Sequence, residues 1–267
     1  MNAGVTPQSS AAALTAARHL AWACADIVGP SVRSVILHGS LAAGDFHPGR
    51  SDIDLLVVAE GALSDAQADA LEILVRQADL GGASGIDLHV VAAKVAGAPT
   101  RMPPMELHIG RYDGSSIGVE VESRVAAAPD LPAELSMARA DGHALVGAQP
   151  HDVIAPVRAD WIRERGRHWL KTWRSHTDDA EDAVHMVLTA CRIWRFTVDG
   201  THSSKSEAAR WALNQDPSLT AIRQAVHQYT VDPAAPVDAA GIARVLNTAL
   251  RETAPASSHA DGGPSAR

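Results

Sequence analysis

The apolar positions change their period once along the chain. Up to about residue 147, short apolar runs of strand character alternate with helically spaced stretches; from about Ala159 onward only helical spacing remains. Ala11 to Val28 is Ala-rich and predicts a helix closed by Gly29-Pro30. The β-branched run Val32 to Leu37 predicts a first strand and Asp52 to Ala59 a second. Ser64 to Leu80 predicts a helix with Ser64 as its N-cap, ending at Gly81-Gly82. Ile86 to Val91 alternates polar and apolar residues, so one face of this third strand meets a core and the other looks into solvent or a cleft. Met105 to Ile109 reads as a short strand or extended loop, and Leu131 to Leu145 as a helix broken by Gly147-Ala148-Gln149-Pro150. Helices are expected over Trp161 to Trp173, Glu181 to Val198, Ser206 to Asn214, Leu219 to Tyr229 and Ala239 to Thr253. The pattern predicts an α+β chain. Residues 1–10 are expected to be disordered, 11–155 to form a mixed sheet with helices, 156–253 an all-α helical bundle, and 254–267 a flexible tail. No internal repeat or heptad seam is visible.

The densest chemistry lies between the first two strands. Leu37-His38-Gly39-Ser40 leads through Gly44 to Ser51-Asp52-Ile53-Asp54-Leu55, a strand, a Gly-Ser turn, a short helix and a second strand. Residues two apart in a strand share a face, so Asp52 and Asp54 project together while Ile53 and Leu55 enter the core. Two carboxylates beside a backbone nest suit Mg²⁺ carried by a nucleoside triphosphate. Gly39 lets the backbone approach phosphate oxygens, and Ser40 offers a hydroxyl and an amide. This pattern resembles the signature of the nucleotidyltransferase superfamily with the DNA polymerase beta-like fold. Asp87 is the candidate third carboxylate, on a strand expected to lie beside the Asp-x-Asp strand, where it binds metal, takes a substrate proton, or both. His89 shares its face and reads as a neighbouring or surface histidine rather than the base.

Charge narrows the substrate. The 267 residues carry a formal net charge of −8, which argues against a nucleic-acid polymer and suits a cationic small molecule. No apolar run approaches the roughly 20 residues of a membrane span, and the first ten residues lack signal-peptide character. A soluble, cytoplasmic chain is expected, with Cys24 and Cys191 as buried free thiols. In the helical half, spacing puts Asp178, Asp182 and His185 roughly on one stripe, with Arg192 further along the same side and Lys205 in a following loop. The acids suit a cationic ligand and the arginine a phosphate.

Together these segments resemble the aminoglycoside (3'')(9)-adenylyltransferases, which modify streptomycin and spectinomycin. The resemblance runs from about Ala11 to Thr253. It rests on His38-Gly39-Ser40, Ser51 to Leu55, Glu106-Leu107-His108-Ile109-Gly110, His143 to Gly147, Val187 to Trp194, and Lys205 to Ala212. It implies an N-terminal nucleotidyltransferase domain and a helical C-terminal domain, with ATP and drug in the cleft between them. It implies Asp52 and Asp54 as Mg²⁺ ligands, joined by Asp87, and a carboxylate at Asp87 as catalytic base. It implies nucleotide binding by Gly39, Ser40 and Ser51, with Arg192 and Lys205 reaching the phosphates from the helical side. Tyr112, Asp178, Asp182 and His185 are the expected drug contacts. Two positions depart from the family pattern: Asp87 stands where a Glu is usual, and Tyr112 where the streptomycin-modifying enzymes carry Trp. The expected partners are ATP and a cationic antibiotic, for a monomer with no nucleic-acid or membrane partner. The alternatives are an adenylyltransferase acting on another small molecule or protein hydroxyl, and a non-catalytic nucleotide-binding partner of the toxin–antitoxin kind.

Overall fold

The computed structural model describes residues 7–112, 118–179 and 181–254. The expected tail lies, beyond Ala254, outside the described residues, as do residues 1–6. The first helix, α1 (Pro7–Val28), starts ahead of the expected Ala11, so residues 7–10 form its first turn instead of continuing a disordered end. Proline at a first helical position gives up no hydrogen bond the helix could have used.

Six strands form one sheet: β1 (Val32–His38), β2 (Ile53–Ala59), β3 (Gly85–Ala92), β4 (Met105–Tyr112), β5 (Gly118–Val125) and β6 (His143–Gly147). Their order is β5-β4-β3-β2-β1-β6. β2 and β3 are parallel and every other neighbouring pair is antiparallel. The parallel pair needs a crossover, which helix α3 (Asp65–Gln77) supplies behind a capping box of Ser64 and Gln67. Alternation along the strands builds two cores. Leu37, Leu55, Val57 and Leu88 face α1 and α3. Ile36, Leu56, Val58 and Val91 face helix α5 (Leu131–Asp141), whose Leu131 and Leu135 are fully buried. Each such buried aliphatic side chain contributes about 1.5–3 kcal/mol. Three single-turn helices punctuate this half: α2 (Gly39–Ala42), α4 (Ala93–Ala96) and α6 (Pro150–Val153).

Two segments differ from the sequence expectation. The helix expected from Leu131 to Leu145 stops at Asp141, and His143 to Gly147 pair with β1 as strand β6. A Cβ at Gly142 would stand 2.2 Å from the Ala138 carbonyl oxygen, so the chain turns there and fills the open edge of β1. Strand β5 carried no recognisable signal because it is an edge strand with most residues exposed and only Val119 and Val125 half-buried. The candidate strand from Met105 runs on to Tyr112.

The second half contains only helices among its described residues: α7 (Ala159–Trp173), α8 (Ala183–Asp199), α9 (Lys205–Gln215), α10 (Thr220–Thr230) and α11 (Ala239–Glu252). Helix α8 is the axis of the bundle; its Met186, Val187, Ala190, Cys191 and Trp194 are buried among α7, α9, α10 and α11. Cys24 and Cys191 are buried and free, and burial pushes both thiols up to about 12. Among the described residues, no helix is long and apolar enough to cross a membrane.

The halves are joined by polar contacts. Arg165 and Trp169 of α7 donate to Asp130 at 2.6 and 2.8 Å. Asp45 accepts from the Ser206 amide in the first turn of α9 at 3.1 Å. Arg50 donates to the Tyr229 carbonyl at 3.1 Å and also to that of Gln228, near the end of α10.

Candidate active site

The sheet opens a cleft where β1 ends and β2 and β3 begin. Backbone pairing puts His38 opposite Asp54, and Asp54 opposite Asp87. Three adjacent strands thus present an imidazole and two carboxylates on one face, with Asp52 just ahead of β2. Gly39 follows at once with φ +66°, and a Cβ there would lie 1.9 Å from Asp54 Oδ2. Only glycine brings the backbone this close to the carboxylate. Ser84 donates to Asp52 Oδ1 at 2.8 Å.

Across the cleft stand Arg192 of α8 and Lys205, the first residue of α9. A capping box between Ser204 and Glu207 fixes the start of α9 and hence where Lys205 points. The ammonium of Lys205 sits 5.3 Å from the centre of the Tyr229 ring, within cation–π reach. Burial and then Arg192 lower its pKa, while Asp52, Asp54 and Asp45 pull it back up. Ser51 shares a 3.0 Å hydrogen bond with Tyr229 Oη. The cleft is therefore lined from one side by Gly39, Ser40, Ser51, Asp52, Asp54 and Asp87, and from the other by Arg192 and Lys205.

The electrostatics favour a cation between the acids. Burial raises the pKa of Asp54 well above the carboxylate range, and the charges of Asp87, Glu134 and Asp52 raise it further. Asp52 is also raised by burial, with Ser84 opposing. Carboxylates that destabilise one another are eased by a bound cation, and an all-oxygen donor set fits Mg²⁺. Asp87 differs: burial pushes it up, but His89 and His108 outweigh that and hold it below the usual range. Both imidazoles lie against the same oxygen, His108 Nε2 at 2.8 Å and His89 Nδ1 at 3.4 Å from Oδ1.

The four expected drug contacts lie outside the residues lining this cleft. Tyr112 is on the same sheet face, its ring over Gly110, where burial and the nearby acids raise its pKa. Asp178 is exposed in the turn between α7 and α8, and Asp182 is the residue before α8, so the helical stripe expected through them begins only at His185. His185 sits two turns before Arg192 on the same face and meets Trp173 edge-on at 5.6 Å.

Several lining residues were not found from the sequence. Glu134 of α5 is 3.9 Å from His38, and burial followed by Asp87 raises its pKa to about 7. His38 is 1 % exposed with neither ring nitrogen hydrogen-bonded, and burial holds it down to about 4. His202 accepts or donates at 2.7 Å to Ser136, and Arg50 and Tyr229 close the rim. Glu134 lies 80 residues from Asp54 in a stretch that reads only as helix. The His38-Gly39-Ser40 turn was the one available pointer to His38.

Residues 152–251 match the family model for the C-terminal domain of aminoglycoside adenylyltransferase, and residues 20–99 match that for the nucleotidyltransferase domain. Among solved structures, the chain is similar to the spectinomycin adenyltransferase AAD(9) from Enterococcus faecialis, determined with ATP and spectinomycin. The TM-score is 0.68 at 15% identity, covering 90% of this chain and 98% of the other. At that identity the likeness is one of fold.

Proposed function

The chain belongs to the aminoglycoside adenylyltransferase family, and on that premise we propose that it transfers AMP from ATP to a hydroxyl of streptomycin, spectinomycin or a related aminocyclitol. The observation that carries this reading is the meeting of three carboxylates from β2, β3 and the segment before β2 with Arg192 and Lys205 from the helical half. Acids alone suit a metal and cations alone suit phosphate; facing each other across a cleft, they suit a metal-bound triphosphate.

Arg192 and Lys205 hold the phosphates, and Gly39, Ser40 and Ser51 line the opposite wall. Lys205 also draws the two halves together around the nucleotide, because its helix start is tied to Asp45 through the Ser206 amide. Mg²⁺ held by Asp52 and Asp54, with Asp87 beside them, would offset the charge of the transferring phosphoryl group. Asp87 accepts the proton of the drug hydroxyl. The hydroxyl oxygen forms its bond to the α-phosphorus as the bond to the bridging oxygen breaks, and pyrophosphate leaves. His89 and His108 keep Asp87 ionised at neutral pH, the state a base needs. Tyr112, Asp178, Asp182 and His185 are the proposed drug contacts, beyond the residues that line the cleft itself. Acidic groups there suit the drug's cationic amines.

The test is pyrophosphate release by the purified chain with ATP and Mg²⁺. Release on addition of streptomycin or spectinomycin, with AMP found on the drug by mass spectrometry, is expected. No drug-dependent release with any aminocyclitol would refute the reading.

A further inference from the structure

On the β3–β4 side of the cleft, three potential metal ligands converge. Asp87 and His89 are two residues apart on β3 and share a face; His108 pairs directly opposite His89 on β4. The two rings stack with centres 4.6 Å apart. One donor atom from each residue lies within 4.8 Å of the other two. With Zn–N and Zn–O bonds of about 2.0–2.2 Å, ligand atoms around a tetrahedral centre are about 3.3–3.5 Å apart. The 3.4 Å separation of His89 Nδ1 from Asp87 Oδ1 falls in that range, and the 2.8 Å hydrogen bond from His108 would open by about 0.5 Å to admit the ion.

Two further observations fit a ligand site. His108 Nδ1 lies 3.3 Å from Glu122 Oε2 on β5. A carboxylate behind the far nitrogen fixes the tautomer that presents Nε2 to a metal. His89 Nδ1 is buried and has no hydrogen-bond partner, although it faces Asp87. A single carboxylate oxygen serves one imidazole here and leaves the other unsatisfied; a cation between them would satisfy all three.

We propose that Asp87, His89 and His108 bind a borderline transition-metal cation, Zn²⁺ foremost, and that its binding switches off adenylyl transfer by taking Asp87 out of service. Two imidazoles and one carboxylate select Zn²⁺ over Mg²⁺, whereas Asp52 and Asp54 offer only hard oxygens. The thiols do not compete, since Cys24 and Cys191 are buried. The binding half stands by itself; the inhibition half rests on Asp87 being the base of the reaction proposed above.

The test is equilibrium dialysis of the full chain against micromolar Zn²⁺ with millimolar Mg²⁺, read by elemental analysis. Wild type and Asp52→Asn are expected to retain one Zn²⁺ that His89→Gln and His108→Gln lose, with Glu122→Gln weakening affinity about 10–100-fold. Far-UV circular dichroism checks that each variant is folded, and the two histidine variants back one another. Zinc retention in both histidine variants equal to wild type, or none in wild type, overturns the site. In parallel, zinc is expected to inhibit pyrophosphate release reversibly on chelation. Stoichiometric binding with undiminished transfer overturns the inhibition. A chain with no transfer under any condition would sink the proposed reaction, while dialysis would still decide the site.

Discussion

Replacing Gly39 by alanine tests the close approach on which the cleft is built. Gly39 has φ +66°, and its new Cβ would lie 1.9 Å from Asp54 Oδ2. A carbon–oxygen contact needs about 3.3 Å, so the carboxylate or the turn must yield by about 1.4 Å. A misplacement of about 1 Å at reacting groups costs on the order of 100-fold in rate. Backbone strain adds about 1–2 kcal/mol against folding, a loss of a few degrees in melting temperature. Gly44→Ala separates the two effects. Gly44 also has a positive φ, +74°, but nothing stands within 4 Å of its would-be Cβ. It should share the melting loss and keep its rate. The assay is drug-dependent pyrophosphate release, with thermal melting of both variants. A Gly39→Ala enzyme within about threefold of wild-type kcat/KM would refute the reasoning, because the displacement worked out above corresponds to about two orders of magnitude.

Asp54→Asn should abolish turnover without loss of melting temperature in EDTA, since the burdened carboxylate is replaced by a neutral group; near-normal turnover would remove Asp54 from the metal site. Arg192→Ala and Lys205→Ala should raise the KM for ATP far more than that for the drug, by steady-state kinetics with each substrate varied in turn; the opposite split would place them against the drug. Glu134 has a raised pKa, so the folded state binds its proton more tightly than the unfolded chain, and its contribution is present below the ordinary glutamate value and lost as pH rises to about 7. Glu134→Gln should therefore gain melting temperature relative to wild type as pH rises from about 4.5 to 7; a constant difference across that window would show that Glu134 ionises as an ordinary glutamate. Comparing the two proteins cancels His38, whose lowered pKa acts in the opposite sense.

Local sequence carried much of the site because its core is local. Gly39, Ser40, Asp52 and Asp54 fall within 16 residues, and strand alternation alone puts the acids on one face with Leu55 in the core. The two-part division was also legible, since the apolar period changes once and stays changed. The helix expected through Leu145 failed for a tertiary reason: His143 to Gly147 become a strand by hydrogen bonding to β1, a partner about 110 residues earlier. Strand β5 was invisible because an exposed edge strand buries too little to leave an apolar pattern.

The sequence by itself determined the chemistry available: two carboxylates at strand spacing, a glycine turn beside them, and cations in a helical partner. Only the tertiary structure decided which distant groups share that space. It set Glu134 against His38, stacked His108 on His89 across neighbouring strands, and turned Arg192 and Lys205 toward the acids while leaving Asp178 and Asp182 outside the cleft lining. The reason is range. Side-chain direction within one strand or helix follows from backbone period, but contacts between elements depend on sheet order and helix docking, which the burial of the whole core fixes and no short segment encodes.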